Sequence, residues 1–183
     1  ILIGEGESQI DVTSLTPSEK LAKAGIAYIL QDKSIFPGMT VEENLWMGGF
    51  LKNQAAESKA AAERVFDKYP QLAARRRHQA KVLSGGERRL LEISRALVMN
   101  PDVLLVDEPS IGLEPKFIDM VFEILNDLQH NEGKTIIMVE QNAKKGLEFA
   151  DIGYVMVSGK IAIAGKGSDL LDNPKVGELF LGG

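Results

Sequence analysis

The sequence predicts an α/β fold: a mainly parallel sheet, with a helical segment set between its early and late strands. Three observations carry that prediction. Val103-Leu104-Leu105-Val106 is an unbroken run of apolar residues that favour strands, the pattern of a strand covered on both faces. Thr135-Ile136-Ile137-Met138-Val139 reads as a second buried strand. From Asp32 to about Ala96 the signals are mainly helical instead.

Residues 1–31 read as two or three strands and a short helix around Pro17-Ser18-Glu19-Lys20. They close on the short apolar strand Ile26-Ala27-Tyr28-Ile29-Leu30. Residues 32–96 form the helical segment. Thr40 to Glu43 is a capping box there, and Ala55 to Tyr69 runs as a helix up to Pro70. Arg75-Arg76-Arg77-His78 reads as a solvated loop, not as a phosphate or lipid patch. Ser84 and Glu87 make a further capping box, and Leu90, Ile93 and Leu97 then recur at helical spacing. Residues 97–183 alternate strands and helices to about Ala150, with His130 at the surface near a helix end. A hairpin turning at Ser158-Gly159 and a short amphipathic tail complete the chain.

With 44% apolar residues, 183 positions suffice for one domain with a core, with or without a subdomain. The net charge of −5 disfavours bulk nucleic-acid binding, which depends on phosphate neutralisation by Lys and Arg. The absence of cysteine excludes disulfides and is compatible with a cytosolic setting. No apolar run approaches the ~18–20 residues that span a bilayer, and no secretory signal is visible.

Chemistry concentrates in two segments, Leu83-Ser84-Gly85-Gly86-Glu87 and Val103 to Pro109, with Glu108 standing 24 positions after Ser84. Asp107 and Glu108 follow the apolar run, and in open α/β sheets the ligand crevice lies outside the carboxyl ends of the strands. Successive residues there point to opposite sides. One carboxylate can then hold a water of a Mg²⁺ shell while its neighbour orients an attacking water. Taken alone, the segment reads equally well as a strand ending in acidic loop residues. In the other segment two glycines occupy the first turn of the helix that Ser84 opens. Glycine in a helix interior costs roughly 0.5–1 kcal/mol against Ala. What it provides here is bare backbone N–H at a helix N-terminus, a ready anion site.

In combination, Ser84-Gly85-Gly86-Glu87 and the apolar-Asp-Glu strand resemble the signature motif and Walker B of ATP-binding-cassette (ABC) ATPases. Gln31 matches the Q-loop glutamine, Ile111-Gly112-Leu113-Glu114-Pro115 the D-loop, and Gln141 the switch position, so the resemblance spans nearly the whole chain. It implies a P-loop NTPase core with a helical subdomain, divided as residues 1–31, 32–96 and 97–183. It also implies ATP and Mg²⁺, a second ABC subunit arranged head to tail, and transmembrane permease subunits that the helical subdomain docks on. The location implied is peripheral, at the cytoplasmic face of the plasma membrane. By resemblance, Ser84, Gly85, Gly86 and Glu87 belong to the nucleotide site, holding the partner's γ-phosphate. Asp107 and Gln31 organise Mg²⁺, Glu108 is general base or water positioner, Gln141 touches the γ-phosphate, and Glu114 lies at the dimer contact. Trp46 and Phe50, four apart after Thr40, share a helix face that serves as subdomain core or as a surface for the membrane partner.

Glu140-Gln141-Asn142, Gly25-Ile26-Ala27-Tyr28, Ile35-Phe36-Pro37 with Thr40 to Leu45, and the ending Leu179 to Gly183 resemble one branch, the ATPases of branched-chain amino acid importers. In that branch a periplasmic or extracellular binding protein and the membrane subunits carry selectivity. The exporter type, for lipid or lipopolysaccharide, is the nearest alternative; a soluble non-transport ABC protein and a non-hydrolysing binding module are others. Two positions depart from the general family pattern: Gln141 stands where a histidine is usual, and Glu114 where an aspartate is usual. A third departure is larger. No Gly-x-x-x-x-Gly-Lys-Ser/Thr occurs in the sequence, and Gly133-Lys134-Thr135 is a decoy with Leu128 five positions before Gly133. The chain also opens at Ile1 without Met. The expectation is therefore a fragment whose P-loop and adenine-stacking residues lie upstream, and which binds ATP poorly by itself.

Overall fold

Capping boxes set where three of the helices begin. The computed structural model describes residues 1–181 other than Glu5, Glu7, Ser8, Asp32, Lys33 and Asn53. Asp32, the expected start of the helical segment, and the terminal Gly182-Gly183 lie outside them. Thr16 with Glu19, Thr40 with Glu43 and Ser84 with Glu87 each exchange the reciprocal side-chain-to-backbone bonds of a capping box. They open α1 (Pro17–Ala24), α2 (Val41–Gly48) and α5 (Gly85–Leu97). Between them stand α3 (Ala55–Lys68) and α4 (Pro70–Ala73), and a short 3-10 turn, Ala80–Val82, precedes Ser84.

The chain groups into two compact units, Ile1–Met138 and Val139–Gly183. In the first, β1 (Leu2–Ile3) and β2 (Ile10–Asp11) form an antiparallel pair. The main sheet has the order β3-β4-β5, made by Ile26–Ile29, Val103–Asp107 and Thr135–Val139. β3 and β4 are parallel, with Ile26 opposite Val103 and Ile29 opposite Val106. α5 packs on β3 and on α2, presenting Leu90, Leu91 and Ile93 fully buried. α6 (Pro115–His130) covers the way from β4 to β5 and buries Val121, Leu125 and Leu128. His130 is exposed at its end, as the sequence predicts. Gly133-Lys134-Thr135 forms the turn into β5, where Lys134 Nζ donates to Asn100 Oδ1 at 2.9 Å.

Two expectations are corrected. β5 is not a buried strand: Ile137 is 57% and Val139 61% exposed, because that face of the strand carries no covering layer among the described residues. Trp46 and Phe50 do not share a helix face, since α2 stops at Gly48 and Phe50 lies past it, exposed. Trp46 is half-buried, with Lys59 Nζ 4.8 Å from its ring centre. The arginine run is a solvated loop, as the sequence predicts, with Arg75, Arg77 and His78 exposed and Arg76 alone half-buried. Arg76 ties α2 to α3 through Glu42 at 3.0 Å and Glu63 at 2.6 Å, and its guanidinium lies 4.6 Å from the Phe66 ring.

The second unit holds α7 (Ala143–Phe149), the hairpin β6 (Ile152–Val157) and β7 (Lys160–Lys166), then α8 (Gly167–Leu171) and α9 (Pro174–Leu181). Ser158 and Gly159 take φ 49° and 78°, the doubly left-handed backbone of a two-residue hairpin turn. Val155, Leu170 and Val176 form its core.

Asn44 holds the backbone at Phe36. Asn44 is fully buried in α2; its Oδ1 accepts from Phe36 N at 2.7 Å, while Nδ2 donates to the carbonyls of Phe36 at 3.0 Å and Thr40 at 2.9 Å. Asn44→Ala removes the acceptor of Phe36 N, whereas the carbonyls of Phe36 and Thr40 keep Met39 N and Asn44 N as donors. The variant is expected to lose about 2–3 kcal/mol of stability, read as a lower urea midpoint at unchanged slope.

Candidate functional site

Parallel pairing decides what meets at the strand ends. With Ile29 opposite Val106, two further residues bring Gln31 beside Glu108. Their side chains touch: Gln31 Nε2 donates to Glu108 Oε2 at 3.2 Å. Asp107 ends β4 exposed, whereas Glu108 is half-buried. The strand alternation does not continue through Glu108. Its backbone turns left-handed, φ 42°, a conformation that costs a non-glycine residue roughly 1–2 kcal/mol.

Arg89 braces this turn. Its side chain is 5% exposed and it pairs with Glu92 at 2.8 Å, itself 9% exposed. Nε donates to the Pro109 carbonyl at 3.2 Å and Nη1 to the Leu30 carbonyl at 3.0 Å. Nη2 makes longer bonds to the carbonyls of Asp107 and Glu108, at 3.4 and 3.5 Å. Sequence reasoning missed Arg89. One signal was present: it lies three positions after Gly86 and four before Ile93, a charge on the buried stripe of an amphipathic helix.

The head of α5 is built as a cap. Ser84 Oγ accepts from Glu87 N at 3.3 Å, and Glu87 Oε2 accepts from Ser84 N at 2.9 Å. The other Glu87 oxygen takes Arg75 Nε at 3.1 Å, so both oxygens of this expected nucleotide ligand are engaged internally. The Ser84 hydroxyl accepts in the cap and also hydrogen-bonds the Glu87 carboxylate. The two glycines differ. Gly85 is exposed, and a Cβ on it would meet only Leu113, at 3.9 Å. Gly86 is buried, and a Cβ there would stand 2.1 Å from the Phe117 ring. Its lack of a side chain is thus explained by close packing of α6 on α5, and Gly85 alone of the two presents an open backbone.

Glu114 is exposed just ahead of α6, 3.3 Å from Lys116 Nζ. Gln141 belongs to the second unit, exposed directly after β5. Asn142 follows it as the cap of α7, accepting from Lys145 N at 3.2 Å.

The sequence matches the profile of the ABC transporter family over residues 3–111. The chain belongs to that family. The chain is 40% identical over 179 residues, 98% of its length and 74% of the relative, to a high-affinity branched-chain amino acid transport ATP-binding protein, BraG, of Pseudomonas aeruginosa. A probable branched-chain amino acid transport ATP-binding protein, LivF, of Archaeoglobus fulgidus is 38% identical, over 94% of this chain and 72% of that one. The lipopolysaccharide export protein LptB of Haemophilus influenzae is 31% identical, over 92% and 70%. Among solved structures, the ADP conformation of MJ1267, an ATP-binding cassette of an ABC transporter, superposes with a TM-score of 0.79 at 30% identity. That likeness covers 95% of this chain and 74% of the other. The fold is therefore that of an ABC cassette, the P-loop NTPase α/β class, and the chain is an ATP-binding domain of a transporter. No helix among the described residues is long and apolar enough to cross a membrane.

Two outcomes follow from the head of α5 in this ABC cassette. Gly86→Ala forces Phe117 aside and is expected to lose about 1–3 kcal/mol, part of which Phe117→Leu restores. Gly85→Ala stays within about 0.5 kcal/mol, both read by chemical denaturation. The Ser84 backbone N–H, the largest influence, holds the Glu87 carboxyl below its ordinary value of 4.5 against burial, the next largest, with smaller help from the Ser84 hydroxyl and Arg75. A depressed carboxylate stabilises the fold above its unfolded pKa, and that contribution is lost as pH falls through the folded value. The capped end of α5 should therefore be intact near neutrality and weaken on acidification below 4.5. In an NMR titration the Glu87 carboxyl midpoint lies under 4.5, and Arg75→Ala moves it only part of the way back.

Proposed function

We propose that this chain contributes the Walker B, Q-loop and signature residues of an ATP-hydrolysing site, in the ATPase subunit of an importer for branched-chain amino acids. The observation that carries the hydrolytic part is the Gln31–Glu108 hydrogen bond beside the exposed Asp107 at the ends of paired parallel strands. The likeness to the BraG and LivF proteins supports the amino-acid branch over lipopolysaccharide export, as does Gln141-Asn142.

The residues present suit Mg-ATP. Mg²⁺ is bound through one or two carboxylates plus substrate phosphates, and Asp107 with Gln31 would hold it. Bound there, it neutralises charge on the phosphates. Glu108, steadied by the Gln31 amide, orients the attacking water or takes its proton. Gln141 donates a hydrogen bond toward the terminal phosphate but does not titrate near neutral pH. The Ser84 hydroxyl and the open Gly85 backbone at the N-terminus of α5 face the terminal phosphate held by a second, head-to-tail subunit. Glu114 lies along that contact. Permease subunits in the membrane receive the work, and a binding protein outside delivers the amino acid.

Phosphoryl transfer depends on positioning and electrostatics, so removing one carboxylate separates binding from turnover. In the subunit expressed from its own gene, Glu108→Gln is expected to keep ATP affinity within about threefold and to lower kcat by roughly a hundredfold or more. Leucine uptake in cells carrying the variant falls with it. Normal turnover in Glu108→Gln would remove the assigned role.

A further inference from the structure

We infer that Arg89 is a positioning residue for ATP hydrolysis: its buried guanidinium links the signature helix to the backbones that carry Gln31 and Glu108. The inference rests on the catalytic reading of those two residues and adds what holds them in register. Four carbonyl oxygens from two separate loops converge on one side chain: Leu30, directly before Gln31, and the consecutive trio Asp107, Glu108 and Pro109. The side chain springs from α5, whose first turn is the signature segment. All three motifs therefore meet at one planar group.

Burying a guanidinium is unfavourable unless nearly every donor is satisfied. Here the negative partner is Glu92, one turn along the same helix, so neutralisation is local and the remaining donors are left to face the loops. A packing role alone would be met by an apolar side chain, as it is at the neighbouring Leu90 and Leu91. The carbonyls also belong to the place where the backbone is least comfortable. Glu108 sits at φ 42°, and donors on its own carbonyl and those either side hold that turn against relaxation. Because the fork is rigid and planar, a shift of the α5 head moves both loops together. Lysine, with one compact ammonium, cannot span carbonyls on two loops in this geometry.

The test uses the subunit expressed from its own gene, with Arg89→Lys set against Arg77→Lys at an exposed site as control. Ile111 N donates to the Glu108 carbonyl at 3.3 Å and reports the turn, whereas Phe36 N, held by Asn44, reports a segment that Arg89 does not touch. Arg89→Lys is expected to lower kcat roughly tenfold or more with KM for ATP within about twofold. Hydrogen exchange should quicken at Ile111 and stay unchanged at Phe36. Unchanged kcat in folded Arg89→Lys, or exchange that rises equally at both amides, overturns the inference. Should the variant not fold, the unaltered chain decides: its Arg89 Nε–H should exchange at least about tenfold more slowly than that of Arg77, and equal rates overturn the clamp. An inactive Glu108→Gln beside a fully active Arg89→Lys discards this inference alone, whereas an active Glu108→Gln discards the catalytic reading beneath it.

Discussion

Everything at the site descends from the parallel pairing of β3 with β4. A parallel ladder aligns like ends, so residues equally far beyond Ile29 and Val106 emerge side by side. A slip of one residue in that ladder would draw Gln31 out of line with Glu108. The register is anchored by burial: Ile26, Ile29, Leu104 and Val106 are all core residues, and none can be turned outward without exposing apolar surface. The polar machinery is precise because the apolar strands beneath it are not free to move.

Charge is handled in the same economical manner. An acidic chain that is to bind a polyanion must keep its own carboxylates from repelling it. Glu87 is engaged by the Ser84 amide and Arg75, Glu42 and Glu63 by Arg76, and Glu92 by Arg89. The exposed pairs among these, made by Arg75 and Arg76, contribute little stability, with a median of about 0–1 kcal/mol. Their effect on local potential is larger, since each cancels a negative charge of the chain.

Much of this was legible in the sequence, and the boundary between what was and was not is physical. Capping boxes are four-residue signals whose partners are fixed by helix geometry, so Thr40 and Ser84 could be placed without coordinates. The run Val103 to Val106 named its strand for the same local reason. Gly86 and Arg89 could not be read that way. Whether a glycine serves an anion or an aromatic ring depends on what packs across from it, and Phe117 lies on another helix. The left-handed Glu108 escaped because alternation is a rule for residues inside a strand, and Glu108 is the first outside it. β5 was misjudged since its sequence reports what the strand can bury, not what lies over it.

The backbone at Glu108 carries an implication for stability. Glycine or asparagine would occupy φ 42° with less strain, so the most stable residue for that turn is one without the long carboxylate. Either replacement relaxes the turn and removes the carboxylate that Gln31 contacts. A turn built on glutamate gives up stability to keep a carboxylate in place beside Gln31.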